Sequence, residues 1–323
     1  MIDFFKEKKH KGLTTCEWLT LIYMSITSVM TVCYWTVMDS PLTLIGTRIA
    51  MLCAMTLLYA LYRWRPCRAT WLLRSIFLIL ALSFWYPETY HFARNLPYLD
   101  HLFAQADWEL FGFQPSIEFS KAVTSVFWCE AFNLGYYSYY FMMVGVMLFC
   151  FLYRFEQSER YAFIFLGSFF MYYLIFEFVP VAGPYYYFKA IGINAAANGN
   201  YPDLGHYFAT HTELIHAEVR GVFSQLVHDI QVAGENPVGA FPSSHVGMST
   251  VTMLIAWKTR NRWLFWTLMP LYSLLCIATV YIMAHYAVDT ISGLVSAVMF
   301  YWLLNFVYDK LAYYRKDTTL RTE

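Results

Sequence analysis

The chain has 323 residues, of which 59% are hydrophobic and 20% aromatic, and its formal net charge is zero. This composition excludes an intrinsically disordered chain and indicates an integral membrane protein. The basic residues cluster where membrane proteins carry topology signals, so the sequence gives no support to a nucleic-acid-binding role.

Eight apolar stretches predict membrane-spanning α-helices. They lie at about 15–37, 44–62, 71–86, 135–153, 161–179, 244–257, 263–283 and 287–308. The sixth stretch is short and carries Ser and Thr, so hydropathy supports it least. The predicted fold is therefore an all-α membrane protein with about eight transmembrane helices.

Positive charge is distributed unequally between the two sides of this eight-span arrangement. Most Lys and Arg residues fall on the side that holds both termini. The other side carries Arg48, Arg94, Lys121, Lys189 and Arg220. Because positive charge marks the cytoplasmic side, both termini are predicted to be cytoplasmic. The first span follows a basic segment without a small-residue cleavage site, so we expect it to remain as an anchor.

Two long segments separate the predicted spans, and both fall on the non-cytoplasmic side. The first, at about 87–131, mixes aromatic and charged residues, which is typical of short interfacial helices or of a packed cap over the bundle. The second, at about 181–243, has Pro and Gly turns at both ends, and loops of this length are usually functional. The seven cysteines show neither a disulfide framework nor the spacing of zinc ligands.

The first chemically informative motif directly precedes the sixth predicted span. Residues 239–245 read Gly-Ala-Phe-Pro-Ser-Ser-His. Pro and Ser are typical of a helix start, where free backbone N–H groups and a partial positive charge attract phosphate. We therefore assign Ser243 and Ser244 to a candidate phosphate site, with His245 as proton donor to a departing oxygen. Taken alone, His245 would more often be an interfacial residue that only forms hydrogen bonds.

The second motif follows two apolar stretches later, where residues 284–289 read Ala-His-Tyr-Ala-Val-Asp. One helix crosses the bilayer and the next returns, so His285 and His245 are predicted to lie at the same membrane face. His285 and Asp289 are spaced i, i+4, so Asp289 could accept a hydrogen bond from one ring nitrogen and leave the other facing a substrate. A helix-capping aspartate beside an incidental histidine is the alternative. The two motifs together favour phosphoryl transfer.

These motifs resemble those of the type 2 phosphatidic acid phosphatase superfamily, and most closely those of its inositol phosphorylceramide synthase branch. That branch carries Ala-Phe-Pro-Ser-x-His, as at 240–245, and His-Tyr-x-x-Asp, as at 285–289. Weaker similarity is found at 96–100 (Leu-Pro-x-Leu-Asp), 111–112 (Phe-Gly) and 180–187 (a Pro-containing turn). The resemblance covers about residues 71–308.

The resemblance implies a six-helix catalytic core preceded by two additional helices. The core would occupy 71–310, between an N-terminal part at 1–70 and a cytoplasmic tail at 311–323. By this resemblance His285 attacks the phosphorus of a lipid phosphodiester, and Asp289 orients it and stabilises the charged imidazole. His245 would protonate the leaving alcohol and then deprotonate the incoming one. The resemblance implies neither a metal ion nor a cofactor.

The chain departs from the phosphatase branch in its positive charges. That branch has an arginine six residues before the later histidine, where this chain has Thr279, and its earlier Lys and Arg-Pro motif is also missing. Phosphate still needs positive partners. Lys189 and Arg220 are the candidates, and Arg220 is favoured because a guanidinium can clamp two oxygens. A solvated loop arginine is the alternative interpretation.

Tyr186 is assigned to the entrance for a headgroup or acyl chain, with anchoring in the interfacial aromatic belt as the alternative.

The leading functional hypothesis is a lipid phosphotransferase that moves a phospho-headgroup, such as phosphoinositol, from a phospholipid donor to a ceramide-like alcohol at the non-cytoplasmic face. A lipid phosphate phosphatase is the first alternative, although a phosphodiester needs less positive charge than a monoester. A catalytically silent lipid-binding or transport protein is the second. The expected partners are membrane lipids, and the sequence names no protein partner.

Overall fold

The computed structural model describes residues 3–216, 218–233 and 236–320, with the backbone alone for 313–320. Within these ranges it contains fifteen α-helices, α1–α15, one short 3-10 helix, and a single isolated β-bridge between Glu7 and Cys67. The predicted all-α class is therefore confirmed. The helices form two compact units. The first unit contains the residues up to Glu88, Met147–Phe170 and the residues from Met299 onwards, and the second contains Thr89–Val146 and Met171–Val298.

The first unit is built from apolar helices that hold two buried ion pairs. It contains α1 (Thr15–Cys33), α2 (Pro41–Trp64), α3 (Arg68–Leu80) and parts of α4 (Leu82–Ala93), α8 (Tyr139–Tyr153), α9 (Phe155–Phe178) and α15 (Ala287–Leu320). Glu17 closes a capping box with Thr14 at the start of α1 and also pairs with Arg74 of α3. Arg48 of α2 pairs with Glu88 of α4. Such pairing is what makes a buried charge tolerable.

The second unit contains the sequence motifs. Its complete helices are α5 (Asp100–Phe111), α6 (Pro115–Ala122), α7 (Val126–Tyr137), α10 (Pro184–Ile191), α11 (Ile193–Ala197), α12 (Val222–Val232), α13 (Ser244–Lys258) and α14 (Arg262–Tyr281). Helices α7 and α14 pack closely, because Gly135 leaves room for the backbone of Leu274. A Cβ atom on Gly135 would lie only 2.6 Å from the carbonyl carbon of Leu274.

Six helical segments of the described chain are long and apolar enough to cross a membrane: Thr15–Cys33, Pro41–Trp64, Arg68–Ala93, Phe155–Phe178, Arg262–Tyr281 and Ala287–Ala312. Helices α7 and α8 form a pair bent by 44°, which would count as a seventh span. Helix α13, at the position of the predicted sixth span, has 15 residues. At 1.5 Å per residue it is about 22 Å long, short of a hydrocarbon core of about 30 Å. A multi-pass membrane protein is thus indicated, while the count of eight and the side of the termini remain predictions.

The two long segments between predicted spans are largely helical. The first contains α5 and α6, whose inner residues Asp100, Ala104, Asp107 and Ile117 are buried while Leu102, Leu110 and Phe113 are exposed. This segment therefore has both the packed face of a cap and the apolar outer face of an interfacial helix. The second contains α10, α11, the 3-10 helix Tyr207–Ala209 and α12. The domain boundaries remain predictions, and residues 321–323 of the predicted tail lie outside the described residues.

Candidate active site

The two motif histidines contact each other in the second unit. Nε2 of His285 lies 3.4 Å from Nδ1 of His245, and the ring centroids are 5.6 Å apart. His285 is buried, with 3% of its surface exposed, whereas His245 is partly exposed. The structure thus brings together the pair that the sequence placed at one membrane face, although their catalytic roles remain predictions.

His245 is positioned by the start of α13. The Ser243 hydroxyl caps this helix by accepting a hydrogen bond from the Val246 N–H, at 3.3 Å. The backbone N–H of Ser243 donates to the Asp289 carbonyl at 3.1 Å, which ties α13 to the start of α15. Gly293 permits this approach, because a Cβ atom there would lie 2.6 Å from the Ser243 carbonyl oxygen. The Ser243 hydroxyl, assigned to phosphate binding from the sequence, therefore has a structural partner.

His285 lies in a tight turn between α14 and α15. Met283 in this turn has a φ of 60°, a left-handed conformation that residues other than glycine rarely adopt. Its carbonyl accepts a hydrogen bond from the Tyr185 N–H at 2.9 Å, and the His285 N–H donates to the Thr279 carbonyl at 3.0 Å. The hydrogen bonds to Tyr185 of α10 and Thr279 of α14 hold the strained turn and fix the backbone of His285.

The hydrogen bond at Nδ1 sets the tautomer of His285. Nδ1 lies 2.8 Å from the carbonyl oxygen of Ala240. A carbonyl oxygen only accepts hydrogen bonds, so Nδ1 carries the hydrogen and Nε2 keeps its lone pair, directed at His245. Burial lowers the pKa of His285 to about 4, although the bond to Ala240 opposes this shift. At neutral pH the ring is therefore uncharged, and its Nε2 carries no hydrogen and lies against Nδ1 of His245.

The sequence prediction assigned this orienting bond to Asp289, and the structure corrects it. The distance from His285 Nδ1 to Asp289 Oδ2 is 3.9 Å, which is an ion-pair distance but not a hydrogen bond. Asp289 Oδ2 instead accepts from the Tyr286 N–H at 2.9 Å. The i, i+4 rule holds only within a helix, and α15 begins at Ala287, so His285 lies outside it. Asp289 remains close enough to stabilise an imidazolium.

Two buried aspartates outside the predicted site residues, Asp107 and the Asp100 that ends the 96–100 segment, fix both sides of the His285 turn. Asp100 accepts hydrogen bonds from the N–H groups of Ala182 and Gly183, at 2.9 and 2.8 Å, and from the Tyr286 hydroxyl, at 3.1 Å. Asp107 lies seven residues after Asp100, about two turns later on the same face of α5. It accepts hydrogen bonds from the first two N–H groups of α15, at 2.8 and 2.9 Å. Burial raises the pKa of each aspartate to about 6, against the lowering effect of these bonds.

His245 is enclosed by two tyrosines that flank the break between α7 and α8. The ring of Tyr136 stacks on it at 4.7 Å, and the ring of Tyr139 lies at 4.6 Å with a tilt of 44°. Both tyrosines are buried. They restrict the rotation of the His245 ring, and they were missed because aromatic residues inside an apolar stretch give no distinguishing signal.

A family model described as PAP2 superfamily matches residues 100–303. The chain belongs to the PAP2 superfamily. None of the curated proteins and none of the solved structures matches the chain significantly. The PAP2 match begins at Asp100 and includes Asp107 and both histidine motifs. Membership supports a lipid phosphatase or lipid phosphotransferase type of function.

The remaining predicted site residues of this PAP2 protein lie apart from the histidine contact. Arg220 pairs with Glu218 at 2.6 Å and donates to the Thr124 carbonyl at 2.5 Å. Lys189 is exposed in the last turn of α10. Tyr186 is fully buried against Tyr185 and Phe208, which places it in the core and not at a surface entrance. Neither Arg220 nor Lys189 has a described hydrogen bond to either histidine.

Thr279, which the motif resemblance places where the phosphatase branch has an arginine, is also buried. Its hydroxyl lies 3.1 Å from that of Thr290. Across the described residues, no three His, Cys, Asp or Glu side chains are placed to hold a metal ion. The side chains brought together here are two imidazoles in contact and a carboxylate 3.9 Å from one of them.

A substitution of Asp107 tests whether its bonds to the start of α15 position His285 in this PAP2 protein. Asp107→Ala would leave two N–H groups at the start of α15 without their acceptor, so we expect a loss of about 1–3 kcal/mol in stability. Because these N–H groups follow His285 directly, kcat should also fall severalfold. Thermal unfolding and kcat measure the two effects. Asp229→Ala is the matched control, since Asp229 is exposed on α12 and its carboxylate contacts two neighbours on the same helix, Gln225 at 2.7 Å and His228 at 3.8 Å. Equal kcat in both variants would contradict the positioning role.

Proposed function

We propose that this PAP2 protein is a lipid phosphotransferase of the inositol phosphorylceramide synthase type. It moves a phospho-headgroup, for which the motif resemblance names phosphoinositol, from a phospholipid to a ceramide-like lipid alcohol. The observation that carries the proposal is the arrangement of His285, whose Nδ1 donates to Ala240 while Nε2 lies 3.4 Å from His245. A buried, uncharged imidazole with a fixed tautomer suits a nucleophile at phosphorus.

The proposed reaction has two displacements. In the first, Nε2 of His285 attacks phosphorus, the bond to the leaving alcohol breaks, and His245 gives that alcohol a proton. In the second, His245 takes the proton of the acceptor hydroxyl, whose oxygen attacks phosphorus while the N–P bond breaks and its electron pair returns to His285. Asp289, at 3.9 Å, stabilises the charged ring of the intermediate.

Substrate binding requires an adjustment of His245. At 3.4 Å the two ring nitrogens are in contact, so a phosphoryl group cannot lie between them as they stand. His245 can reach the leaving oxygen from its other nitrogen, or after its ring turns between Tyr136 and Tyr139. Catalytic hydrogen bonds often take their final geometry only with substrate bound.

The surroundings of the histidines favour a phosphodiester over a phosphomonoester. A monoester carries a second negative charge, which needs further positive partners in a semi-buried site. Thr279 replaces the arginine of the phosphatase branch, and the guanidinium of Arg220 is already paired with Glu218. This supports the transferase over the alternative, a lipid phosphate phosphatase.

A transferase must also keep water from the phosphorylated histidine. Residues 181–188 are buried without interruption, and the Tyr185 N–H binds the Met283 carbonyl in the His285 turn. Phe188 contacts Tyr286 edge to face at 6.0 Å. The packing of this segment supports the exclusion of water that the proposal needs.

The proposal is tested by separating lipid and water-soluble products. Purified protein is incubated with phosphatidylinositol labelled in its phosphate, with and without ceramide, and with phosphatidic acid in a parallel reaction. We expect a ceramide-dependent labelled lipid and little free phosphoinositol. Release of inorganic phosphate from phosphatidic acid, without transfer to any alcohol offered, would instead establish the phosphatase. Conversion of no lipid in any reaction would favour the silent lipid-binding alternative.

We further propose that the site faces the non-cytoplasmic side, which rests on the distribution of Lys and Arg. Gln225 and Lys258 are exposed and fall on opposite sides of the predicted topology. A cysteine at each position, in a background with the exposed Cys33 and Cys53 changed to serine, reports the side. An impermeant thiol reagent applied from outside should label position 225 and not 258. Equal labelling of both would contradict the topology.

A further inference from the structure

A cavity of about 200 Å³ with several polar groups in its wall lies in the second unit. Its polar lining consists of Ser120, Cys129, Asn133, His216, Glu218 and Tyr281. Met283, which also lines it, is two residues from His285, and Asn133 is one turn of α7 before Tyr136, whose ring stacks on His245. Along α7 this step is about 4.5 Å, so the cavity adjoins the residues that position the two histidines, and neither histidine lines it.

Asn133 is the strongest indication of a ligand. Its side chain is 1% exposed, and its Nδ2 donates to the Cys129 carbonyl at 2.8 Å. Its Oδ1 has no hydrogen-bond partner among the described residues. A buried amide oxygen without a partner costs free energy, particularly on an apolar helix, unless a ligand or an ordered water donates a hydrogen to it. The cavity therefore contains an acceptor that lacks a donor.

The charges around the cavity restrict what this ligand can be. Glu218 is paired with Arg220 at 2.6 Å, so the rim carries no uncompensated positive charge for a phosphate. A quaternary ammonium group has no hydrogen to donate to Asn133, and it prefers the faces of several aromatic rings, whereas Tyr281 is the one aromatic residue of the lining. A neutral group that bears hydroxyls satisfies Asn133 and needs no countercharge.

We infer that this cavity binds a neutral, hydroxyl-bearing part of the substrate, with Asn133 Oδ1 accepting a hydrogen bond from one hydroxyl. The inference rests on the proposed function, which supplies such a group on either side of the transferred phosphorus. The group is the polyol headgroup of the donor or the hydroxylated head of the acceptor. The cavity then selects substrates by hydroxyl groups, separately from the chemistry at the histidines.

Asn133→Leu tests the inference, because leucine has a similar size and no acceptor. We expect the KM for phosphatidylinositol or for ceramide to rise about 3- to 10-fold, the value of one hydrogen bond, with kcat changed less than twofold. The substrate whose KM rises is the one that occupies the cavity. The KM for phosphatidylcholine as donor should not change. Asn198→Leu is the matched control, since Asn198 makes the same i to i−4 bond, to Asn194, but is exposed.

Binding measured without turnover separates this inference from the proposed function. Labelled phosphatidylinositol and ceramide are each bound to His285→Ala protein in nanodiscs, with and without Asn133→Leu. Weaker binding of one lipid supports the cavity, even if the wild-type protein proves to hydrolyse its donor instead of transferring the headgroup. Unchanged binding and KM for both lipids would overturn the inference. Asn133→Ala gives the same comparison if the leucine variant does not fold.

Discussion

His285→Asn is expected to lower turnover of every donor by about 10⁴-fold or more, because loss of a nucleophile removes the covalent route. Asparagine is chosen since its side-chain N–H can replace Nδ1 as donor to the Ala240 carbonyl, 2.8 Å away in the wild type. The local fold is thereby kept while the attacking nitrogen is lost. Single-turnover kinetics with labelled phosphatidylinositol measures the effect.

The control for this variant is His211→Ala. His211 is exposed and stacks on Tyr207 at 4.0 Å, away from both motifs in the chain. It should retain wild-type turnover, and both variants should unfold within a few degrees of the wild type. Near-normal turnover in folded His285→Asn protein would show that another group attacks phosphorus.

His245→Ala is expected to have the second largest effect, a loss of about 10²- to 10⁴-fold with natural lipid donors, which is typical of losing a general acid and base. The loss should depend on the leaving group. A nitrophenyl phosphodiester releases an anion that needs no proton, so first-turnover release of nitrophenol should be nearly normal in His245→Ala and absent in His285→Asn. Equal losses with both donors would mean that His245 positions the substrate and does not transfer a proton.

Hydropathy and motif spacing predict the all-α class and the placement of both histidines at one membrane face, and the contact between their rings is seen only in the structure. Long apolar stretches predict α1, α2, α9, α14 and α15, and the helix pair between the motifs predicts that His245 and His285 lie at the same membrane face. The break between α7 and α8 was missed, because the stretch at 135–153 is uniformly apolar. Helix α13 is also shorter than a complete span, which its Ser and Thr residues indicated only weakly.

The contacts that orient His285 were not predictable from local patterns. Ala240 contributes a backbone carbonyl, which any residue has, so no side chain marks the position. Asp107 binds the start of α15 across 180 residues of sequence. Periodicity reports the faces of single helices, whereas such contacts depend on how distant segments pack. The i, i+4 spacing wrongly predicted a hydrogen bond between His285 and Asp289 for a related reason. The spacing places two side chains together only if both lie in one helix, and α15 begins at Ala287, after His285.

The stereochemical course at phosphorus tests the nucleophilic role of His285 most directly. The donor is a phosphatidylinositol analogue made chiral at phosphorus by sulfur in place of one oxygen, and the configuration of the transferred product is determined. Each in-line displacement inverts phosphorus, so attack by His285 followed by attack of the acceptor predicts overall retention. Inversion would mean that the acceptor attacks the donor directly, and it would contradict the covalent role assigned to His285.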